Sequence, residues 1–562
     1  MELTQVTPPW SNLAAEKKER QLKAIPQGWL ISVPPDSVLD VTGYPEKCGI
    51  LTKEEVEITN TPVDVILAKL ASGATSSVSV TTAFYKRAIV SQQLVNCLSE
   101  IFVEQSLRRA AELDSYLKEH GKVVGPLHGL PVSLKDQLSV KGLETTIGYV
   151  GWIGKYAEEN AVLVDVLYEC GAVPFVRTNV PQTLLWSDSH NHIFGRTTNP
   201  YNRSLTPGGS SGGEGALIAM KGSPLGVGSD IGGSIRCPAA LCGLYGLRPS
   251  FGRLPTSGAV TSVDGPDSLI ASFGPMTCSV EGLKIFMEAV IKSKPWMKDP
   301  LTVCKHWSEN EYKLVNHGNG KDLCFAILWD DEIAIPHPPI QRALEMTRDA
   351  LIKAGHRAIC WAPLKHQQIV DVTQTMLSAG SQDIVSATSL SGEPIITSMQ
   401  IDSDEPLDAA FRPKASNITA HQLWHAHKLK RDLRIEYLSH WNATVGQTGT
   451  SRPVDAIICP VAPYAATPHG KYGYTHYTMV WSTLEYATAV FPVTSVDPIL
   501  DRKQVRHQFI SDFDKEIYEM YDPATFKNAP VGLQLVGRNL EEEAVIAMTE
   551  IISTSLKVSK NI

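Results

Sequence analysis

Residues 207–238 read PGGSSGGEGALIAMKGSPLGVGSDIGGSIRCP, and the rest of the chain is most simply a frame for this stretch. Gly208, Gly209, Gly212, Gly213 and Gly215 surround Ser210 and Ser211, and Gly226, Gly228, Gly232 and Gly233 lead into Ser234. Such a density of glycine lets backbone N–H groups approach a bound atom closely. Between the serines lie an alanine-rich helical run, Ala216 to Lys221, and a short apolar strand, Leu225 to Val227. A helix folded back on a strand brings Ser210 and Ser234 together, so the pattern predicts an α/β unit arranged around a site.

Upstream, HGLPVSLKDQ at 128–137 places a lone Lys135 after a short apolar run that reads as a buried strand. Three more blocks follow: VPQT at 180–183, YGLRP at 245–249 and PVGLQLVGR at 530–538. Lys135, Ser210 and Ser234, with these blocks in the same order, resemble the amidase signature family, whose members hydrolyse amides with a Ser-Ser-Lys triad. The resemblance runs from about Val63 to the carboxyl end. Within the family it is strongest to the fungal acetamidase (general amidase) group, which shares GGSSGGEG at 208–215 and the stretch beginning near Trp10. Fatty acid amide hydrolase shares the Gly-Glu-Gly form, so that wording does not choose a substrate.

The resemblance implies an α/β fold with a large central mixed β-sheet covered by helices on both faces. It also implies a serine amidase without metal or cofactor, cleaving a carboxamide to carboxylate and ammonia or amine through an acyl-enzyme. Ser234 is the expected nucleophile, reading as the start of a helix after Asp230-Ile-Gly-Gly. There the N–H groups of Ile231, Gly232, Gly233 and Ser234 can converge on one oxyanion, helped by the helix dipole.

Lys135 serves as base only if neutral. A free lysine, with pKa about 10.4, is over ~99.9% protonated at pH 7, so the site must bring it down to roughly 7, about 4 kcal/mol against the charged form. Ser210 would relay the proton, and in the family the peptide matching Gly209–Ser210 is cis. Ser211, Asp230 and Arg236 are assigned support: a second hydroxyl, and an ion pair that holds the loop. In relatives the segment matching VPQTLLW at 180–186 lines the acyl side, placing Leu184 near the reacting carbonyl and Trp186 across part of the acyl tunnel.

Composition excludes other classes. Hydrophobic residues make up 43% and charged residues 20%, as in a soluble enzyme with a sizeable core. A net charge of −8 with scattered Lys and Arg gives no footprint for nucleic acid. Ten cysteines, none in a C-x-x-C pair, read as reduced buried thiols, and with no signal peptide or membrane span they suggest the cytoplasm. The expected partner is a small-molecule amide with a small or compact acyl group, and a homodimer is compatible with the sequence.

Along the chain, residues 1–60 read as an amino-terminal helical extension packed on the core, with a helix over 11–23, and 61–562 as a single amidase domain. From Val63 to His120 the apolar spacing is helical, with Leu107, Ala111 and Leu117 as the last stripe. About 304–441 reads as a largely helical, variable region that shapes the substrate pocket in relatives. Three other patterns are weaker. Gly208-x-Ser210-x-Gly212 satisfies the α/β-hydrolase elbow, which would make Ser210 the nucleophile, but the elbow needs a preceding strand and 202–207 is turn-like. His421, His425 and His427 read as a polar helix face, and Glu541 to Glu543 as a first helical turn favoured by the dipole. Rival functions are a fatty-acid-amide-type, ester or carbamate hydrolase of the same fold, an amidotransferase subunit, and a non-catalytic binding protein, which the intact Lys135, Ser210 and Ser234 argue against.

Overall fold

The computed structural model describes residues 9–265, 267–396 and 418–560. Apolar runs bounded by Gly, Pro or Asn become strands: β1 (Leu98–Ile101), β2 (Pro131–Lys135), β3 (Val173–Thr178), β4 (His190–Asn191), β5 (Gly195–Arg196), β6 (Leu225–Asp230), β7 (Tyr245–Arg248), β8 (Ser272–Thr277), β9 (Cys324–Ile327), β10 (Arg357–Cys360), β11 (Ala456–Pro460), β12 (Thr488–Ser495) and β13 (Pro530–Val536). β4 and β5 pair with each other; the other eleven form one sheet in the order β1-β3-β2-β6-β8-β7-β12-β13-β11-β9-β10. Neighbours are parallel at β3-β2-β6 and at β11-β9-β10 and antiparallel elsewhere, so the sheet is mixed. Every residue of β2, β3, β6, β8, β11 and β13 is buried, as expected of strands covered on both faces. Helices Ser77–Val95, Val280–Lys292, Pro338–Lys353 and Glu542–Lys560 pack against it. The α/β fold with a large mixed sheet flanked by helices matches the expectation.

Several local readings differ. Asn96 closes helix Ser77–Val95 in the left-handed region (φ 51°), and the chain then turns into β1 within the stretch read as all helix. On helix Val103–His120 the buried stripe is Ser106, Ala110 and Leu113, not Leu107, Ala111 and Leu117. A serine can take a core position there because its hydroxyl donates to the carbonyls of Phe102 (3.1 Å) and Pro174 (3.0 Å). The region 304–441 contributes β9 and β10: β9 is only four residues long, and β10 is an edge strand with exposed ends, so neither carries a strong strand pattern. The charged helix Pro9–Lys23 docks through Lys17, which is buried and ion-paired with Glu100 and with Glu144 (2.5 Å). His421 and His425 lie exposed one turn apart on helix Ala420–Asn442, their Nε2 atoms 3.2 Å from each other.

The acidic run does more than suit a dipole. Glu542 and Glu543 are both 0% exposed and meet the buried Arg253, whose Nε lies 3.1 Å from Glu542 Oε2; Lys305 reaches Glu543 at 3.2 Å. This knot ties the last helix to the segment after β7. Removing one partner from a buried ion cluster leaves an uncompensated charge. Arg253→Leu is therefore expected to lower the unfolding free energy by about 3–5 kcal/mol in urea titrations, and a loss below about 1 kcal/mol would contradict this account.

Candidate active site

The parallel trio β3-β2-β6 sets the site. Lys135 is the last residue of β2, Thr178 of β3 and Asp230 of β6, and Lys135 and Thr178 are register partners. Three strand ends thus deliver their side chains to the carboxyl edge of the sheet, where α/β sheets gather ligands. Ser210 and Ser211 immediately precede helix Gly212–Ala219, and the Ser211 N–H donates to the Ser234 carbonyl at 3.2 Å, tying the two serine segments together. At Gly209 a Cβ would lie 2.4 Å from the Trp186 carbonyl oxygen, so glycine alone lets the 184–186 segment close on the serines; the Gly209–Ser210 peptide is cis. Residues 202–207 hold an isolated bridge from Leu205 to Pro468 rather than the strand an elbow requires.

Lys135 is 0% exposed and donates from Nζ to Ser210 Oγ at 2.7 Å and to Ser229 Oγ at 2.8 Å. Ser229 in turn donates to Gln137 Oε1 at 2.6 Å. Its hydroxyl hydrogen is therefore committed, and its lone pairs face the lysine. Burial brings Lys135 down to about 7, against the opposing pull of the Asp230 and Glu214 charges. A neutral Nζ has two hydrogens and one lone pair; with a hydrogen on Ser229, the lone pair is free for Ser210.

Asp230 and Arg236 form a bidentate buried pair, Nε to Oδ2 and Nη2 to Oδ1 both at 2.9 Å. Burial works to raise the Asp230 pKa, but Arg236 and backbone donors hold it down at about 2. The same carboxylate accepts from the N–H groups of Gly233 (2.7 Å), Ile235 (3.2 Å) and Arg236 (3.3 Å). Two expectations change accordingly. The helix begins at Arg236, two residues beyond Ser234, and its first amides point to Asp230 rather than into the pocket. Gly233 is likewise engaged, which leaves Ile231, Gly232 and Ser234 as the amides open to an oxyanion.

Ser210 and Ser234 share the wall of a cavity of about 40 Å³, whose other lining includes Ser229, Gln137, Ile231, Leu184, Leu269, Met376 and Leu377. A second recess of about 20 Å³ joins Leu184 and Trp186 to Gly209 and to the Ile231–Ser234 turn. Trp186, 7% exposed, packs on Ile396. Thr183 and Leu184 both sit at positive φ (77° and 63°), an arrangement costly for side-chain-bearing residues that aims this segment at the serines. Thus Lys135, Ser210, Ser211, Asp230, Arg236, Leu184 and Trp186 fall in one neighbourhood. Sequence reasoning missed Ser229, whose only signal is its place at the strand end beside Asp230, and Met376 and Leu377, which come from helix His366–Ser378 in the region expected to shape the pocket.

Comparison with known proteins points the same way. Residues 79–546 match the Amidase family. An acetamidase of Aspergillus oryzae is 42% identical over 551 residues, covering 97% of this chain and 99% of that protein. An acetamidase of Emericella nidulans is 41% identical over 546 residues, covering 96% and 97%. A solved structure of a fatty acid amide hydrolase aligns with a TM-score of 0.89 at 34% identity, over 97% of this chain and 95% of that one. A family match over most of the length, relatives similar from end to end and the mixed sheet with its glycine-rich serine loop together establish that this chain belongs to the amidase signature family, is related to the fungal acetamidases and is a hydrolase of amide bonds.

Proposed function

We propose that the chain hydrolyses small or compact carboxamides through a serine acyl-enzyme, with Ser234 as nucleophile, Ser210 as proton relay and Lys135 as base. The observation that carries this reading is the buried Lys135 Nζ, 2.7 Å from Ser210 Oγ, in surroundings that favour its neutral form. Neutral Lys135 takes a proton from Ser210 as Ser210 takes one from Ser234, whose Oγ bonds to the carbonyl carbon. The oxyanion is met by the open amides of the 231–234 turn. The C–N bond then breaks as Ser210 gives a proton to the leaving nitrogen and is reprotonated by Lys135. Water, deprotonated along the same path, releases the carboxylate. Ser229 and Gln137 orient Nζ for the exchange.

The compact-acyl reading is supported by the tight space beside Ser234 and by two similar proteins named acetamidases. A second reading, long-chain amides, is favoured by the apolar lining from Leu184, Leu269, Met376 and Leu377 and by the similar structure named for fatty acid amides.

Three experiments test these assignments. A fluorophosphonate probe is expected to label Ser234, and Ser234→Ala to cut turnover by at least about a thousandfold; an adduct mapped to Ser210 would favour the elbow chemistry instead. Lys135 is neutral above about 7 and charged below it, so kcat/KM should fall on the acid side around that pH and persist above it. Lys135→Ala should remove this limb with most of the rate, and a limb that survives would rule Lys135 out as base. Finally, ammonia release from amides graded by acyl length should favour short chains. Trp186→Ala should raise kcat/KM for longer ones by about fivefold per methylene accommodated. A wild-type preference for long chains would overturn the compact-acyl reading and leave the serine chemistry standing.

A further inference from the structure

Among the buried carboxyls that the chemistry above leaves unused, one acts directly on Lys135. Glu214 lies in the first turn of helix Gly212–Ala219, yet it is 0% exposed and reaches back to the sheet. Its Oε2 accepts from Ser133 Oγ at 2.6 Å and its Oε1 from Thr178 Oγ1 at 2.9 Å. Ser133 precedes Lys135 by two residues on β2, so both side chains leave the strand on the same face, and Thr178 is the register partner of Lys135 on β3. These two anchors put the carboxyl beside the lysine stem. The neighbouring strand makes room for it: a Cβ at Gly226 would lie 2.0 Å from Glu214 Oε2 and 2.6 Å from Ser133 Oγ. Two hydroxyls hold this carboxyl where an ionised, buried group would ordinarily meet a cation.

We propose that Glu214 is a positioning residue for the reaction, its carboxyl clamped by Ser133 and Thr178 on the Lys135 face of the sheet so that its charge sets the pH at which Lys135 becomes free to accept a proton. The inference rests on Lys135 being the base. Burial pushes the Glu214 carboxyl up, although its two hydroxyl partners and the charge of Lys135 pull it down. Two ionisable groups this close titrate as a pair. A charge on Glu214 favours the ammonium and raises the pH at which Lys135 yields its lone pair; a proton on Glu214 lowers that pH. The other charged or titratable groups facing the spot are few. Asp230 on β6 is neutralised by Arg236. Cys97, between helix Ser77–Val95 and β1, has a thiol that burial, with a contribution from Glu214, pushes up, and Lys18 acts on that thiol in the opposite sense.

Glu214→Gln keeps the shape and can still accept from Thr178 but cannot ionise. The test compares kcat/KM between about pH 5 and about pH 10 for wild type and variant, alongside the rate of fluorophosphonate labelling at Ser234. Removing the negative charge beside Lys135 favours the neutral amine, so the acid limb of both profiles is expected to move to lower pH by about half a unit to one unit. At about pH 6 the variant then retains several-fold more of its plateau rate. A limb at the wild-type position overturns the proposal. If circular dichroism shows that Glu214→Gln does not fold, Thr178→Val is read instead: it deletes a hydroxyl that favours the carboxylate and should move the limb the same way, and an unmoved limb again overturns the proposal. The two readings separate cleanly. A limb that survives Lys135→Ala overturns the base assignment, whereas one that vanishes there and stays put in Glu214→Gln overturns only the role of Glu214.

Discussion

Lys135 ends a central strand with no exposure to water, and its Nζ meets two serine hydroxyls rather than a carboxylate. A charged ammonium in such a place loses its hydration, and the nearby charges of Asp230 and Glu214 offset that loss only in part, which is why burial dominates its titration. Much else around the site bears on keeping that balance. Asp230, close enough to pull Lys135 toward its charged form, is itself saturated by Arg236 and by the amides of Gly233, Ile235 and Arg236. The loop between β6 and its following helix is thereby folded around Asp230, and that folding presents Ser234 to the cavity.

The sheet supplies the geometry. Parallel β3, β2 and β6 bring Thr178, Lys135 and Asp230 to one edge, and the link from the Ser211 amide to the Ser234 carbonyl holds the two serine segments in mutual register. Small residues at Gly209 and Gly226 are demanded by what packs against them, the Trp186 carbonyl in one case and the Glu214 carboxyl in the other. The long connections outside this trio return to the pocket as walls, since Leu269, Met376 and Leu377 all line it.

Much of this could be read from the letters. A lone lysine after an apolar strand, and serines embedded in glycine, are chemically conspicuous, and the fold brings Ser210 and Ser234 to one cavity with Lys135 bonded to Ser210. What escaped was whatever depends on partners distant in sequence. Ser229 looks like any strand-end serine until Lys135 and Gln137 are seen on either side of it. The helix expected at Ser234 starts at Arg236 because Asp230 claims the intervening amides. Ser106 stands in a core stripe that hydropathy assigns to its neighbours, its hydroxyl being satisfied by Pro174. Glu542 and Glu543 read as a first helical turn suited to the dipole, and their ion pairs stay hidden because Arg253 lies almost three hundred residues away in the chain.

The central claim is that Lys135 gives up its charge near neutral pH, far below a free lysine, and it can be observed without turnover. With 13C-labelled lysine, the Cε resonance of Lys135, assigned by its absence in Lys135→Ala, is followed against pH. The account predicts a transition near about 7, and a resonance that titrates only at the free-lysine value of about 10.4 would contradict it.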